Sequence, residues 1–271
     1  MSGAPEDRGL VASGALEGRG AVVTGGGRGI GAAVARALAA EGARVVVAAR
    51  TAAEVERVAQ AIVESGGAAW ATTCDVTDPT SVDALFDAAE ERLGATDILV
   101  NNAGIALSAT VVRTTLDDWR RILDVNATGT FLCTRAFLPA MMERGWGRVV
   151  NVASVAGLAG DRFISAYAAA KHAVVGFTRS AAAECGPHGV TVNAVCPGWV
   201  DTDMTRASIA RIVSTTGRSE EEALAAILAA SSQDRLIDPA EVAEAVVRLC
   251  REESRDVNGQ AIVIDDEEAN A

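Results

Sequence analysis

The chain has 271 residues, of which 49% are hydrophobic and 22% charged, and its formal net charge is −12. This length allows one large α/β domain or two small ones. The acidic balance argues against a nucleic-acid partner, and aromatic residues, at 4%, are too few for a base-stacking surface. A small phosphorylated ligand in a locally basic pocket is still compatible with this charge.

The cysteine content and the lack of long apolar runs predict a protein of the reducing cytoplasm. Five cysteines and two histidines show no close metal-ligand spacing, so we predict buried free thiols and no metal site. Residues 1–18 lack the apolar run of a signal peptide and are predicted to be a mobile tail. No apolar run is long enough to cross a membrane. We therefore expect cytoplasmic localisation without a membrane partner.

A glycine-rich loop follows the first apolar strand, which is predicted at residues 19–24. The loop has the sequence TGGGRGIG at residues 24–31, an alanine-rich helix follows to about Glu41, and a second strand covers 44–49. Glycines let a pyrophosphate approach the backbone, and the start of the helix supplies free N–H groups. The spacing departs from the commonest dinucleotide fingerprint, but the strand–loop–helix setting predicts phosphate binding.

The end of the second strand distinguishes between two cofactors. An acidic residue there would bind the adenosine ribose of NAD, but this strand ends in Ala49 and Arg50. Arg50 and Arg28 together offer two cations for a 2′-phosphate, which favours NADP(H), with NAD(H) still possible. The alternative is that Arg50 is a surface residue and that Thr51 and Glu54 form a capping box for the next helix.

Helices and strands continue to alternate along the chain. We predict helices at 52–64, 78–93, 115–142, 165–184 and 238–250, and strands at 68–73, 97–100, 147–153, 190–195 and 260–264. This alternation predicts an α/β fold of the Rossmann type, a single doubly wound parallel sheet with helices on both faces. One catalytic domain would cover residues 19–265, followed by an acidic tail at 266–271.

Two segments of this domain have special features. Asn126 lies in the middle of the helix predicted at 115–142, where asparagine is unfavourable; it is either a solvated amide or a bend whose carbonyl holds a water molecule. Residues 203–236 are polar and helical, with a capping box starting at Ser219, and are predicted to be a lid beside a cleft.

Tyr167 is the only tyrosine, and Lys171 follows it by four residues. This spacing places both side chains on one face of a helix. A nearby ammonium favours the phenolate, so we predict that Lys171 lowers the pKa of Tyr167 and lets the phenol exchange a proton with a carbonyl or alcohol oxygen. Ser154 offers a hydroxyl for the same oxygen. Taken alone, the pair would more often be a core tyrosine and a surface lysine.

In combination, these motifs resemble the short-chain dehydrogenase/reductase family over roughly residues 20–264. The matching stretches are Thr24–Gly31, Asp75, Asn101–Gly104, Asn126, Ser154, Tyr167 with Lys171, and Pro197-Gly198 with Thr202. Within the family, the sequences around Tyr167 and Asn193 are most similar to 3-oxoacyl-thioester reductases and polyketide-type ketoreductases. The resemblance implies seven strands in the order 3-2-1-4-5-6-7 and a homo-oligomer, usually a tetramer.

The resemblance also implies roles for particular residues. The implied catalytic residues are Ser154, Tyr167, Lys171 and Asn126. The implied cofactor-binding residues are Gly25, Arg28, Gly29, Ile30, Gly31, Arg50, Asp75, Val76, Asn102, Ala103, Gly104, Tyr167, Lys171, Pro197, Gly198, Val200 and Thr202. One departure is Asp265-Asp266-Glu267, where the family often has Asp-Gly-Gly. The departure falls where the resemblance implies the C-terminal contacts of a tetramer.

The function expected from the sequence is NADPH-dependent reduction of a ketone, such as a 3-oxoacyl thioester, to a secondary alcohol, with Tyr167 as acid and base. One alternative is an NAD-dependent secondary-alcohol or 3-hydroxyacyl dehydrogenase. A second alternative, from outside enzymes, is a regulator that senses NADP(H). The presence of both Tyr167 and Lys171 favours an enzyme.

Overall fold

The computed structural model describes residues 14–231 and 233–265. Seven parallel strands form one sheet in the order β3-β2-β1-β4-β5-β6-β7, which confirms the predicted fold. The strands are β1 (Gly20–Thr24), β2 (Arg44–Ala49), β3 (Ala68–Thr73), β4 (Ile98–Asn101), β5 (Gly147–Val152), β6 (Val190–Pro197) and β7 (Ala261–Ile264). The helices are α1 (Gly29–Ala40), α2 (Ala52–Glu64), α3 (Pro79–Leu93), α4 (Leu116–Leu123), α5 (Gly129–Arg144), α6 (Ser165–Cys185), α7 (Asp203–Thr216), α8 (Glu220–Ser231) and α9 (Pro239–Cys250).

Helices cover both faces of the sheet, which explains its uninterrupted apolar strands. In β2, Val45 and Val47 pack into a core that includes α1, α2 and α9, while Val46 packs into a second core with α3, α5 and α6. All five cysteines are buried free thiols, as the sequence predicts. In the described part of the chain no helix is long and apolar enough to cross a membrane.

The order of the strands reverses between β1 and β4, and this reversal sets the position of the cleft. Val23 pairs with Val100, so Gly25 and Asn102 leave the sheet side by side at its carboxyl edge. In open α/β sheets, ligands bind at this kind of edge.

The helix predicted at residues 115–142 is interrupted. α4 ends at Leu123, one π-helical turn covers Asp124–Thr128, and α5 then continues to Arg144. The hydroxyl of Thr115 begins α4 by accepting a hydrogen bond of 3.0 Å from the N–H of Asp118. The bend expected at Asn126 is therefore a π-helical turn, a feature that often occurs at functional sites.

The packed structure begins before residue 19. Residues 14–18 were assigned to the N-terminal tail, but Leu16 is only 2% exposed and lies in the core. Its N–H donates a hydrogen bond of 2.9 Å to the carbonyl of Glu41, which ties this segment to the end of α1. The rest of the predicted tail, residues 1–13, and the acidic tail at 266–271 lie outside the described residues.

Candidate active site

The glycine-rich loop lies directly against the segment that follows β4. Gly25 has a φ of +63°, and a Cβ there would come within 2.8 Å of the Asn102 side-chain nitrogen. The same nitrogen donates hydrogen bonds of 3.0 Å to the carbonyls of Thr24 and Gly25. A Cβ on Gly31 would be 2.4 Å from it. Only glycines allow this close approach, which places Asn102 against the start of α1.

The start of α1 fits a dinucleotide phosphate. Its N-cap residue, Arg28, makes no side-chain capping bond, so the first N–H groups of the helix have no side-chain acceptor there. Bare N–H groups and the helix dipole together favour an anion. A Cβ on Gly29 would lie 3.2 Å from the Thr202 methyl, so the loop after β6 faces the glycine loop across the cleft. Ile30, also predicted to bind the cofactor, is half-buried and packs against the core.

The two predicted phosphate-binding arginines lie in exposed positions near carboxylates. Arg28 Nη1 is 4.0 Å from Glu54 Oε1, and the Arg28 side chain is 65% exposed. Glu54 also packs against the glycine-rich loop, since a Cβ on Gly27 would lie 2.7 Å from the Cβ of Glu54. Thr51 makes no side-chain capping bond at α2, so the alternative capping role is not observed at this residue. Arg50, at the end of β2, is exposed as well.

Asp75 and Val76 follow β3 at the same edge. The N–H and hydroxyl of Thr77 donate hydrogen bonds of 3.0 and 2.8 Å to Asp75 Oδ1. These bonds, with a smaller effect from the charge of Arg50, hold the pKa of Asp75 below its usual range. Val76 is buried against the start of α5, where a Cβ on Gly129 would be 2.7 Å from it. Asp75 is thus held in place by Thr77 and favours its ionised form at the carboxyl edge of the sheet.

The side chain of Asn126 bonds to the loop after β4 and is not exposed to solvent. Its side-chain nitrogen donates to the carbonyls of Ile105 (2.9 Å) and Ile122 (2.8 Å), and its Oδ1 accepts a bond of 3.3 Å from the N–H of Ile105. Asn126 is 1% exposed, which excludes the solvated alternative. Its backbone carbonyl accepts a bond of 2.9 Å from the Thr130 hydroxyl, and a carbonyl has a second lone pair for another donor.

Ser154, Tyr167 and Lys171 come together behind this loop. A Cβ on Gly104 would lie 2.8 Å from Asn126 Oδ1 and 3.7 Å from Lys171 Nζ, which brings the lysine beside the asparagine. Lys171 is 4% exposed, its Nζ donates a bond of 2.7 Å to the Val152 carbonyl, and it lies 5.7 Å from the centre of the Tyr167 ring. One face of α6 therefore presents both groups to the end of β5.

The structure contradicts one electrostatic expectation at this site. Lys171 was expected to lower the pKa of Tyr167, but burial raises the pKa of Tyr167 to about 12, and the hydroxyl of Ser154 offsets this only in part. Burial also lowers the pKa of Lys171 to about 8. Burial disfavours the charged form of each group and is the largest cause of both shifts.

The loop after β6 closes the other side of the cleft. The Ser154 hydroxyl lies 3.4 Å from the carbonyl of Pro197, which links Ser154 to this loop. Val200 is buried, and its carbonyl accepts a bond of 2.6 Å from the Thr205 hydroxyl. Thr202 then caps α7, the first helix of the predicted lid. The capping box predicted at Ser219 is present at α8, with bonds of 2.9 and 3.1 Å to Glu222.

Two residues beside the cleft were not predicted as site residues. Glu54 was considered only as a capping residue, and Gln233 was not considered. A carboxylate near the arginines could have been suspected from the short distance along the chain between Glu54 and Arg50. No local pattern marks Gln233, because its contacts are with the loop after β6, 34 positions away.

Comparisons with known proteins agree with this geometry. The model of the short chain dehydrogenase family matches residues 19–212. A 3-oxoacyl-(acyl-carrier-protein) reductase of Synechocystis sp. is 44% identical over 172 residues, or 63% of this chain and 70% of the relative. Meso-2,3-butanediol dehydrogenase of Serratia marcescens is 37% identical over 231 residues, or 85% and 86% of the two chains. A crystal structure of actinorhodin polyketide ketoreductase with NADPH is 39% identical with a TM-score of 0.88, and covers 93% of this chain and 97% of that one.

These likenesses extend over nearly the whole described domain, at identities well above those that show the fold alone. The family binds a nicotinamide cofactor, and the glycine loop, Asn102 and the free start of α1 fit one. The chain belongs to the short-chain dehydrogenase/reductase family and is a short-chain oxidoreductase.

Proposed function

We propose that this enzyme reduces a ketone, of the 3-oxoacyl thioester class or a related carbonyl, to a secondary alcohol with NADPH. The observation that carries the proposal is the convergence of Ser154, Tyr167, Lys171 and Asn126 beside a glycine loop that accepts a dinucleotide. The likeness to an acyl-carrier-protein reductase and a polyketide ketoreductase supports the substrate class. The likeness to a ketoreductase with NADPH supports the cofactor.

The residues divide the chemistry among them. A nicotinamide cofactor held in this cleft would supply the hydride for the carbonyl carbon. Tyr167 donates its proton to the carbonyl oxygen, and the high pKa of the phenol suits a group that stays protonated until that moment. The Ser154 hydroxyl donates a hydrogen bond to the same oxygen and orients it. Lys171 holds the nicotinamide ribose and stabilises the phenolate left on Tyr167 after the transfer.

Asn126 has a part in returning a proton to Tyr167 after each turnover. Its backbone carbonyl accepts the Thr130 hydroxyl, and in this proposal it also accepts a hydrogen bond from a water molecule. The Asn126 side chain and Lys171 Nζ both approach Gly104, so such a water would lie near Lys171. A proton from solvent then reaches Tyr167 by way of Lys171 and restores the phenol for the next turnover.

The basic end of the cleft selects the cofactor. Arg50 directly follows β2, Arg28 lies in the glycine loop, and no acid ends that strand. A 2′-phosphate accepts charge-assisted hydrogen bonds from guanidinium groups, whereas the bare ribose of NADH offers no anion to them. We therefore assign NADP(H) in preference to NAD(H).

We also propose that the enzyme is a cytoplasmic homo-oligomer, a tetramer or a dimer, formed through α5 and α6. Phe131 on α5 is 43% exposed and makes an edge-to-face contact with Phe177 on α6 at 6.1 Å. Leu116 and Trp119 on α4 are exposed too. Light scattering of wild type and of Phe131→Glu tests this assembly, which predicts a smaller particle for the variant. A wild-type monomer would contradict it.

The direct test of the cofactor is titration of the enzyme with NADPH and, separately, with NADH, followed by quenching of its four tryptophans. We expect NADPH to bind more tightly by about tenfold or more, the value of one charge-assisted contact. Initial rates with acetoacetyl thioesters and simple cyclic ketones then test the substrate class. Tighter binding of NADH, with oxidation of secondary alcohols as the faster reaction, would favour an NAD-dependent dehydrogenase instead.

A further inference from the structure

Backbone hydrogen bonds fix most of the loop that follows β6. The N–H of Gly198 donates 3.1 Å to the carbonyl of Ile264, and the N–H of Asp201 donates 2.9 Å to Ile237. The N–H of Ile237 in turn donates 2.9 Å to the carbonyl of Trp199. Between Gly198 and Asp201, the N–H of Trp199 donates to a side chain and not to a backbone carbonyl.

That side chain is Gln233. Its Oε1 accepts a bond of 2.8 Å from the Trp199 N–H, and its Nε2 lies 3.4 Å from the Trp199 carbonyl and 3.3 Å from that of Arg235. Gln233 is 6% exposed, and a Cβ on Gly198 would lie 2.5 Å from Gln233 Oε1. The Gln233 amide therefore packs against the loop with its oxygen and its nitrogen both hydrogen-bonded, as buried polar groups require.

The position of Gln233 connects two functional parts of the cleft. It follows α8, the last helix of the lid, and its own N–H donates a bond of 3.0 Å to the carbonyl of Leu228 in that helix. On its other side, it contacts a loop that reaches the Ser154 hydroxyl through Pro197. A displacement of the Gln233 amide would therefore change how the lid is connected to the loop that contacts Ser154.

We propose that Gln233 is a positioning residue that holds the Trp199 peptide so that its neighbours, Gly198 and Val200, receive the nicotinamide end of the cofactor. This inference rests on the proposed function. Without the amide, the half-buried Trp199 N–H loses the acceptor that fixes it, and the loop is free to shift toward water. The effect is confined to the nicotinamide end, because the adenosine end is bound by the glycine loop and by the residues after β2 and β3.

Two ligands separate this role from a general loss of structure. NADPH reaches both ends of the cleft, whereas 2′,5′-ADP carries the adenosine and the 2′-phosphate but has no nicotinamide. In Gln233→Met, which keeps an unbranched side chain of similar length, we expect NADPH to bind about fivefold more weakly, the value of one hydrogen bond. Binding of 2′,5′-ADP is expected to stay within about twofold of wild type, because no adenosine contact changes.

Gln60→Leu is the matched control, because Gln60 is exposed on α2 and its side chain bonds only to Glu64 among the described residues, at 3.0 Å. Equal binding of NADPH by the Gln233 and Gln60 variants would overturn the positioning role. Equal weakening of both ligands in Gln233→Met would overturn it too. A wild-type enzyme that binds neither NADPH nor NADH would overturn the proposed function, and this inference with it.

Hydrogen exchange in the wild-type enzyme tests the contact without any variant. If Gln233 holds the loop, the Trp199 amide is protected by about a hundredfold or more over an unfolded chain, as expected for a hydrogen bond that opens only with its surroundings. Exchange at the unprotected rate would show that Gln233 does not hold the Trp199 peptide, and would overturn the inference.

Discussion

The two ends of the cofactor cleft are built differently. At the catalytic end, Asn126 and Lys171 are 1% and 4% exposed and bond to backbone carbonyls of Ile105 and Val152. At the phosphate end, Arg28 is 65% exposed and lies 4.0 Å from the carboxylate of Glu54. The first end is fixed by buried contacts, while the second depends on a few charges in contact with water.

This difference predicts how each end responds to substitution. Charges in contact with water are screened, so an exposed arginine contributes modestly and to selectivity rather than to rate. The groups at the proposed catalytic end are buried and bonded to the backbone, so their loss should lower turnover strongly. The predictions below test this contrast in order of decreasing effect.

The largest effect is expected for Tyr167→Phe, which removes the proton donor and keeps the ring. Turnover should fall by about 10²- to 10⁴-fold, the usual contribution of a general acid. The Kd for NADPH, measured by tryptophan quenching, should change little because the phenol oxygen serves the substrate. Retained turnover in this variant would contradict the proposed mechanism.

Lys171→Met should affect both turnover and binding. The loss of the ammonium removes the group that stabilises the phenolate and holds the nicotinamide ribose, so we expect turnover to fall by about a hundredfold. NADPH should bind more weakly, while 2′,5′-ADP binds as in wild type because it lacks that ribose. Unchanged kinetics would leave Lys171 with a structural role only.

The same residue should make stability depend on pH. The pKa of Lys171 is lowered from 10.5 to about 8 in the folded protein, so between these values the unfolded chain binds more protons than the folded one. Stability therefore rises with pH in this window, and the penalty of burying the ammonium is largest below pH 8.

Urea unfolding of wild type and Lys171→Met measures this dependence. Between about pH 7.5 and 9.5 we expect the free energy of unfolding of wild type to gain about 2 kcal/mol relative to the variant. The comparison cancels the titration of Cys74, Cys133, Cys185 and Cys250, which both proteins share. The charge of Lys171 lowers the pKa of Cys196, so the difference between the two proteins reports Lys171 together with its effect on that thiol. Parallel pH profiles for the two proteins would mean that Lys171 titrates normally.

The sequence predicted the fold and the location of the cleft because both depend on short local motifs that mark where strands end. Glycines after β1 and the segment Asn101–Gly104 after β4 mark strand ends, and strand ends of a parallel sheet meet at one edge. The mid-helix position of Asn126 similarly marked the π-helical turn, since asparagine is unfavourable inside a regular helix.

What the sequence did not predict depends on tertiary burial. The spacing of Tyr167 and Lys171 shows that they share a helix face, but not how far tertiary packing buries each of them, which is what raises one pKa and lowers the other. The contact of Gln233 with Trp199 joins residues 34 positions apart through a buried amide. Neither effect leaves a periodic signal.

At the exposed end, Arg50→Ala should reduce selectivity for NADPH over NADH by about tenfold, the lower range for a charge-assisted contact. Arg92→Ala is the matched control, because Arg92 is exposed near the end of α3, which leads to the opposite edge of the sheet. The ratio of the two Kd values is the measurement. An unchanged ratio would show that Arg50 does not bind a 2′-phosphate.

The smallest effect is expected for Glu54→Gln, and it should have the opposite sign. The Glu54 carboxylate lies 4.0 Å from Arg28, where it competes with a 2′-phosphate for the guanidinium. Its replacement by an amide keeps the packing on Gly27 and should tighten NADPH binding by about threefold, within the range of an exposed ion pair. NADH binding should not change.

A loss of NADPH affinity in Glu54→Gln would reverse this interpretation. It would mean that the carboxylate orients Arg28 toward the phosphate, so that the ion pair supports binding instead of opposing it. The sign of the change in NADPH affinity separates the two cases. If Glu54 competes, the variant binds NADPH more tightly than wild type, and if the ion pair orients Arg28, the variant binds it more weakly. In both cases the difference shrinks as salt rises, because both effects are electrostatic and exposed to water.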